Sequence, residues 1–151
     1  MTPVVIRPVA GEDDLAAACQ LLQQFFREEQ FDTPPETVAR HARCMHELPD
    51  HCLMLVAWVD HLPVAVTTLS MNFGIEFGWQ AEIGDLYVVP AARGQGLASQ
   101  LVEECTAWAR RKGARSLAVT VTTHGADQGL HSFYRALDFQ NDGRRVLLRP
   151  V

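Results

Sequence analysis

The stretch "DLYVVPAARGQGLASQLVEE", Asp85 to Glu104, passes from one predicted element to another. Its apolar start predicts a strand that ends at Pro90, since proline lacks the N–H that a strand ladder needs. Arg93, Gly94 and Gly96 form the turn that follows, and an amphipathic pattern then predicts a helix. The free N–H groups and the dipole at the start of a helix favour an anion, above all a phosphate. Because glycine permits close backbone approach and arginine supplies a matching charge, the turn predicts a phosphate or pyrophosphate site.

Two well-known phosphate signatures do not fit this turn. A P-loop needs Gly-Lys-Ser/Thr, which the turn lacks. The dinucleotide fingerprint G-x-G-x-x-G/A is nearly matched by Gly94, Gly96 and Ser99, but it also needs an acid at the end of the next strand to bind the ribose. That strand ends at residues 121–123, which are Val-Thr-Thr. A nicotinamide or flavin site is therefore disfavoured.

The composition is that of an ordinary globular protein without a basic footprint. Of the 151 residues, 48% are hydrophobic and 21% are charged, and the formal net charge is -5. This balance argues against nucleic-acid binding and is compatible with a cationic substrate. No apolar run is long enough for a membrane span, and the N-terminus lacks a signal-peptide pattern, so a cytoplasmic location is expected. The length predicts one domain, residues 1–151.

The spacing of cysteine and histidine predicts no metal site. The cysteines form neither a CxxC pair nor a disulfide framework, and they are interpreted as small apolar residues: Cys19, Cys44, Cys52 and Cys105. On a helix, His41 and Cys44 share a face while His46 points elsewhere, and no second ligand pair follows.

Hydrophobic periodicity predicts the element order β-α-α-β-β-β-α-β-α-β, a mixed α+β sandwich. Residues 79–122 form a β-α-β unit, so its two strands are expected to be parallel with a right-handed crossover. Gly84 interrupts the strand before the turn and predicts a bulge or a close backbone approach. The run "RRVLLRP", residues 144–150, predicts a closing strand.

The pattern Arg93-x-x-Gly96-x-Ala98 after "DLYVVP" resembles the acetyl-CoA motif Gln/Arg-x-x-Gly-x-Gly/Ala of the GNAT family of N-acetyltransferases. "LYVVPAARGQG" is similar to the family's strand with its V-x-P exit, and "LHSFYRALDF" is similar to its late helix. With the element order, the chain is identified as a member of this family. The resemblance implies the GNAT fold: a mixed, mostly antiparallel central sheet flanked by helices, with splayed parallel strands that bind acetyl-CoA.

The resemblance implies acetyl-CoA as the co-substrate. Its pantetheine arm would pair like an added strand with the main chain of the strand before the turn. The residues implied for the arm are Leu86, Tyr87, Val88 and Val89. The pyrophosphate would lie on the turn and the first residues of the helix, which are Arg93, Gly94, Gln95, Gly96, Leu97, Ala98 and Ser99.

The resemblance also implies direct attack of a neutral amine on the thioester, with Tyr134 as the proton donor to the leaving thiolate. The base is less defined, because many relatives carry Glu one residue before Asp85, where this chain has Gly84. Side chains alternate along a strand, so Glu82 shares a face with position 84 and is favoured as the base, acting through water. Asp85 is the alternative, and it would need a bulge at Gly84 to reach the same face.

The acceptor site of this fold is expected between the first two helices and the middle strands, where acids stand beside aromatic residues. Such a surface suits a cationic amine, and the candidate residues are Glu28, Phe31, Asp32, Glu76 and Trp79. Similarity to aminoglycoside acetyltransferases makes an aminoglycoside antibiotic the leading hypothesis, and with it a role in antibiotic resistance. Polyamines, protein N-termini or lysines are alternatives, as is a CoA-binding domain without turnover. No nucleic-acid or membrane partner is expected, and a homodimer is left open.

Overall fold

The computed structural model of the chain describes residues 2–151 and contains one five-stranded sheet with helices. The strands are β1 (Val4–Pro8), β2 (Cys52–Val59), β3 (Leu62–Gly74), β4 (Gly78–Val88) and β5 (Ser116–Val119). The helices are α1 (Gly11–Glu28), α2 (Pro35–His46), α3 (Leu97–Arg111), α4 (Thr123–Asp127) and α5 (Leu130–Ala136), with a 3-10 turn at Pro90–Ala92. No helix of the described residues combines the length and apolar character that crossing a membrane requires.

The strands lie side by side in chain order, from β1 at one edge to β5 at the other. Neighbours from β1 to β4 pair antiparallel, and β4 and β5 pair parallel. Parallel neighbours need a crossover connection, and α3 supplies it. The structure therefore confirms the predicted α+β fold with a mixed, mostly antiparallel sheet.

The two faces of the sheet are covered by different helices. Val66 of β3 and Tyr87 of β4 belong to one buried cluster with apolar residues of α1 and α2. Thr67, the next residue of β3, points to the other face, where its Oγ1 lies 3.8 Å from Cys105 Sγ of α3. Because strand side chains alternate, these contacts assign each β3 and β4 side chain to the α1/α2 face or to the α3 face.

The described residues divide into two compact units, one that ends at Thr120 and one from Val121 to Val151. The second unit contains α4 and α5, which are separated by Gly129 with a φ of +82°. The predicted closing strand is wrong: residues 144–150 form no strand, and Leu147 and Leu148 are each 91% exposed. A strand needs a neighbour for its N–H and C=O groups, and the described strands provide none for this run. The single domain over residues 1–151 stays a prediction.

Candidate active site

β4 and β5 separate part-way along their length. Their parallel pairing runs from Gln80↔Ser116 to Ile83↔Val119. β4 continues to Val88 with β3 as its strand neighbour on one side. The opposite edge of β4 after Ile83 therefore has no strand partner among residues 2–151. An open edge of this kind accepts an extended ligand through main-chain hydrogen bonds.

Main-chain groups along this edge alternate in direction. The N–H of Val89 donates to the carbonyl of Val64 at 2.9 Å, so it points toward β3. By alternation, the main-chain N–H and C=O groups of Tyr87 also point toward β3, whereas those of Leu86 and Val88 face the open edge. The Val88 carbonyl agrees with this assignment, because it accepts a hydrogen bond from Arg93 Nε at 2.9 Å. Of the four residues predicted to pair with a pantetheine arm, Leu86 and Val88 therefore have the suitable main-chain direction.

The turn before α3 presents main-chain N–H groups beside glycine. Gly94 and Gly96 have φ values of +77° and +79°, the left-handed region that favours glycine. A Cβ added to either one would meet no protein atom within 4 Å, so the space in front of both is open. The first helical hydrogen bond runs from Gln100 N to Gly96 O, which leaves the first-turn N–H groups without an intrahelical partner. An exposed turn with these features fits a pyrophosphate.

The register of β3 and β4 shifts at Gly84. Leu69 pairs with Ile83 and Thr68 pairs with Asp85, so Gly84 has no opposing residue and forms a β-bulge. A Cβ at Gly84 would lie 3.0 Å from Thr68 Oγ1, which is a tight contact. The bulge that this glycine predicted is confirmed, and the atom that crowds the position belongs to a side chain.

The bulge turns Asp85 onto the same face of the sheet as Glu82. Their partners on β3, Thr68 and Ser70, are two residues apart and therefore share a face. Tyr87 belongs to that face as well, which is the face covered by α1 and α2. The bulge that Asp85 needs in order to reach the face of Glu82 is therefore present.

Asp85 is half-buried, and Thr68 Oγ1 donates to its Oδ2 at 2.6 Å. Burial raises the pKa of Asp85 because desolvation disfavours the charged carboxylate, and this outweighs the Thr68 hydrogen bond, which lowers the pKa. Glu82 is also half-buried, and its Oε1 lies 3.4 Å from Thr120 Oγ1, long for a hydroxyl–carboxylate hydrogen bond. A raised pKa suits a proton acceptor that works near neutral pH.

Glu28, the last residue of α1, is bound through both carboxylate oxygens. Its Oε1 accepts from the Tyr87 hydroxyl at 2.7 Å and its Oε2 accepts from Arg93 Nη2 at 2.8 Å. Partial burial opposes ionisation of Glu28, but these two donors lower its pKa overall. Burial first, and then Glu28, raises the pKa of Tyr87 to about 12. Glu28, predicted to bind the acceptor amine, and Arg93, predicted to bind the pyrophosphate, thus pair with each other.

The predicted acceptor residues Phe31 and Asp32 lie in the connection between α1 and α2. The Phe31 ring contacts Phe25 and Phe26 edge-on, with centroids 5.9 and 5.1 Å apart. Phe25 lies 5.4 Å from the Tyr87 ring, which joins this aromatic group to the end of β4. Asp32 is exposed beside Phe31.

Glu76 and Trp79 lie at the other end of β4, in and beside the turn that connects it to β3. At about 3.3 Å per residue, Gly78 and Tyr87 are about 30 Å apart along the strand. Trp79 also pairs with Phe73, their rings 5.2 Å apart, on the face opposite to Glu82. The structure therefore places Glu76 and Trp79 away from the α1 end of β4, and their part in binding the acceptor stays a prediction.

Tyr134 is buried in the second compact unit, on α5. Its ring forms edge-on contacts with Phe133 and Phe139, with centroids 4.9 and 5.3 Å apart. The Phe139 N–H donates to the Tyr134 carbonyl at 3.1 Å. These contacts position the tyrosine within its own unit, and its role as an acid stays a prediction.

Comparison with known proteins identifies the family. Residues 15–139 match the family described as Acetyltransferase (GNAT) family. The chain belongs to the GNAT acetyltransferase family. This membership confirms the predicted fold and the predicted enzyme class, an acetyl-CoA-dependent N-acetyltransferase.

Several relatives of this GNAT protein act on aminoglycosides according to their names. Aminoglycoside N(6')-acetyltransferase type 1 of Acinetobacter haemolyticus is 28% identical over 117 residues, which cover 74% of this chain and 79% of the relative. Aminoglycoside N-acetyltransferase AAC(6')-Iy, solved with CoA, has a TM-score of 0.85 at 18% identity, covering 99% of this chain and 96% of that one. Aminoglycoside 6'-N-acetyltransferase AAC(6')-IG of Acinetobacter haemolyticus has a TM-score of 0.75 at 25% identity, covering 97% of this chain and 98% of that one.

Proposed function

We propose that this protein transfers the acetyl group of acetyl-CoA to the 6'-amine of an aminoglycoside antibiotic. The observation that carries acetyl transfer is the open edge of β4, which leads directly into the glycine turn at the start of α3. The curated relative named as an aminoglycoside N(6')-acetyltransferase supports the substrate class and the amine. The net charge of -5 favours a polycationic substrate.

The co-substrate site is proposed on the end of β4 and the turn. The main chain of Leu86 and Val88 would pair with the pantetheine arm. The first-turn N–H groups of α3, with Gly94 and Gly96, would bind the pyrophosphate. Gln95 and Ser99 lie in the same segment and complete this proposed surface. When bound there, acetyl-CoA supplies the acetyl group as a thioester.

Asp85 is proposed as the residue that takes the proton from the ammonium group of the acceptor. Its raised pKa and its position on the α1/α2 face support this role. Glu82, on the same face, is proposed to relay the proton through water to solvent. Tyr134 is proposed, from the family resemblance, to protonate the leaving thiolate. The ammonium group loses two protons overall: the first passes through Asp85 to solvent, and the second, released as the amide forms, replaces the proton that Tyr134 gives to the thiolate.

Phe31 and Asp32 are proposed as the acceptor-binding residues of the α1–α2 connection. Phe31 is 39% exposed although it is large and apolar, and Asp32 beside it is exposed. An aromatic face next to a carboxylate binds an amino sugar through ring contact and charge. Replacing Asp32 with Asn should raise KM for the aminoglycoside and leave KM for acetyl-CoA unchanged.

Thiol release from acetyl-CoA with a panel of amines tests the proposal. Neomycin and paromomycin form the decisive pair, because they differ in carrying an amine or a hydroxyl at the 6' position. Acetylation of neomycin with little turnover of paromomycin is the expected result. Equal turnover of the two would exclude the 6'-amine, and turnover of spermidine or a lysine peptide alone would exclude the aminoglycoside class.

A further inference from the structure

We propose that Glu28 and Arg93 are a positioning pair that ends the open edge of β4 at Val88, and that neither side chain binds the phosphates or the acceptor amine. This inference rests on the proposed use of acetyl-CoA. It reassigns two residues whose types, taken alone, indicate ligand binding: a glycine-turn arginine and an acid near an aromatic group.

Two donor nitrogens of Arg93 bind protein groups on two sides. Its Nε donates to the Val88 carbonyl at 2.9 Å, and its Nη2 donates to Glu28 Oε2 at 2.8 Å. The guanidinium carbon lies 5.7 Å from the centroid of the Tyr87 ring. Because a guanidinium is planar, two hydrogen bonds in different directions fix its orientation. Arg93 therefore bridges the end of β4 to the end of α1.

The bridge uses one main-chain group of the open edge. Leu86 and Val88 are the residues whose main chain faces that edge, and Arg93 occupies the Val88 carbonyl. Because Arg93 already takes up one acceptor position of this carbonyl, we place the end of the ligand's pairing at the Val88 N–H, just before the glycine turn. In this way the side chain of Arg93 sets the register of the ligand without touching it.

Glu28 holds Arg93 in this orientation because a second donor fixes the carboxylate itself. The Tyr87 hydroxyl donates to Glu28 Oε1 at 2.7 Å, and Tyr87 is 3% exposed in the core. Tyr87 is thus a rigid anchor for the pair, whose side chains are 51% exposed for Arg93 and 35% for Glu28. Each carboxylate oxygen of Glu28 therefore already accepts a hydrogen bond from a protein donor.

Two thioesters distinguish positioning from phosphate binding. Acetyl-pantetheine has the arm of acetyl-CoA but lacks the pyrophosphate. If Arg93 positions the edge, Arg93→Gln should lower kcat/KM by a similar factor, about tenfold or more, for both thioesters. A loss confined to acetyl-CoA would show that Arg93 binds phosphate and would overturn the proposal.

Further variants, measured with acetyl-CoA alone, test whether Glu28 and Arg93 act as one positioning pair. They serve if turnover of acetyl-pantetheine is too slow to measure. Arg93→Lys should not restore activity, because a single ammonium group cannot make both hydrogen bonds in the observed directions. Glu28→Gln should lower kcat/KM for acetyl-CoA, and the double variant Glu28→Gln/Arg93→Gln should be no worse than Arg93→Gln. Full rescue by lysine, or additive losses in the double variant, would contradict a shared positioning role.

The surface pair Glu12–Arg43 is the matched control. It also joins two elements through a guanidinium–carboxylate pair, with hydrogen bonds of 2.8 and 2.9 Å between α1 and α2. Glu12→Gln and Arg43→Gln should leave both thioester activities unchanged. A raised KM for the acceptor in Glu28→Gln would show direct substrate binding and refute the proposal. Absence of acetyl-CoA binding by the wild-type chain would instead refute the proposed function, so calorimetry with acetyl-CoA is measured first.

Discussion

Gly96→Ala separates the folding role of the glycine turn from its binding role. Gly96 has a φ of +79°, and a Cβ there meets no protein atom within 4 Å. The folding cost of alanine is therefore left-handed backbone strain without a clash, about 1–2 kcal/mol. For a chain of this size, that cost corresponds to a Tm loss of about 2–8 °C.

Gly113 is a control with the same local geometry. Its φ is +85°, and an added Cβ again meets no protein atom within 4 Å, but it follows the end of α3 and not its start. Gly113→Ala should therefore lose about the same stability. Only at Gly96 would the new methyl group enter the space proposed for the pyrophosphate.

Calorimetry with acetyl-CoA, at a temperature where both variants are folded, measures the difference. Gly96→Ala should raise Kd at least about tenfold, which equals about 1.4 kcal/mol, and Gly113→Ala should leave Kd unchanged. Equal Kd values for the two variants, with equal losses of Tm, would refute the placement of the pyrophosphate on this turn.

Three further predictions concern Asp85, the bulge at Gly84 and the reactivity of the cysteines. Asp85→Asn should lower kcat/KM about 100-fold and remove the acidic limb of the pH profile. Because the pKa of Asp85 is raised in the folded state, its ionisation destabilises the fold as pH rises. The Asp85→Asn variant should therefore have a higher Tm than wild type at pH 8. Below the ordinary pKa of Asp, the two proteins should have the same Tm. Gly84→Ala should displace Thr68 and shift that acidic limb, whereas an unchanged profile would contradict the tight contact. Exposed Cys44 should react with iodoacetamide, while Cys105, whose pKa burial raises to about 11, should be protected until unfolding; mass spectrometry distinguishes them.

Local sequence determined much of the site because its chemistry lies in consecutive residues. Pro90, Gly94 and Gly96 mark the end of a strand, a turn with left-handed backbone and the start of a helix. Each effect acts within a few residues, so the glycine turn and the β-α-β unit follow from the pattern. Gly84 likewise predicted a bulge or a close backbone approach, because a glycine inside a strand often marks one of these.

Tertiary structure decided what depends on distant residues. The face of Asp85 depends on the register between β3 and β4, where one unpaired residue moves a side chain from one face to the other. Glu28 and Arg93 are 65 positions apart, and only the packing of α1 on the end of β4 makes them partners. Residues 144–150 have a strand's composition, yet they form no strand in the structure. Sequence by itself thus determined the family, the fold and the glycine turn before α3, whereas pairing in three dimensions decided which charged side chains bind each other.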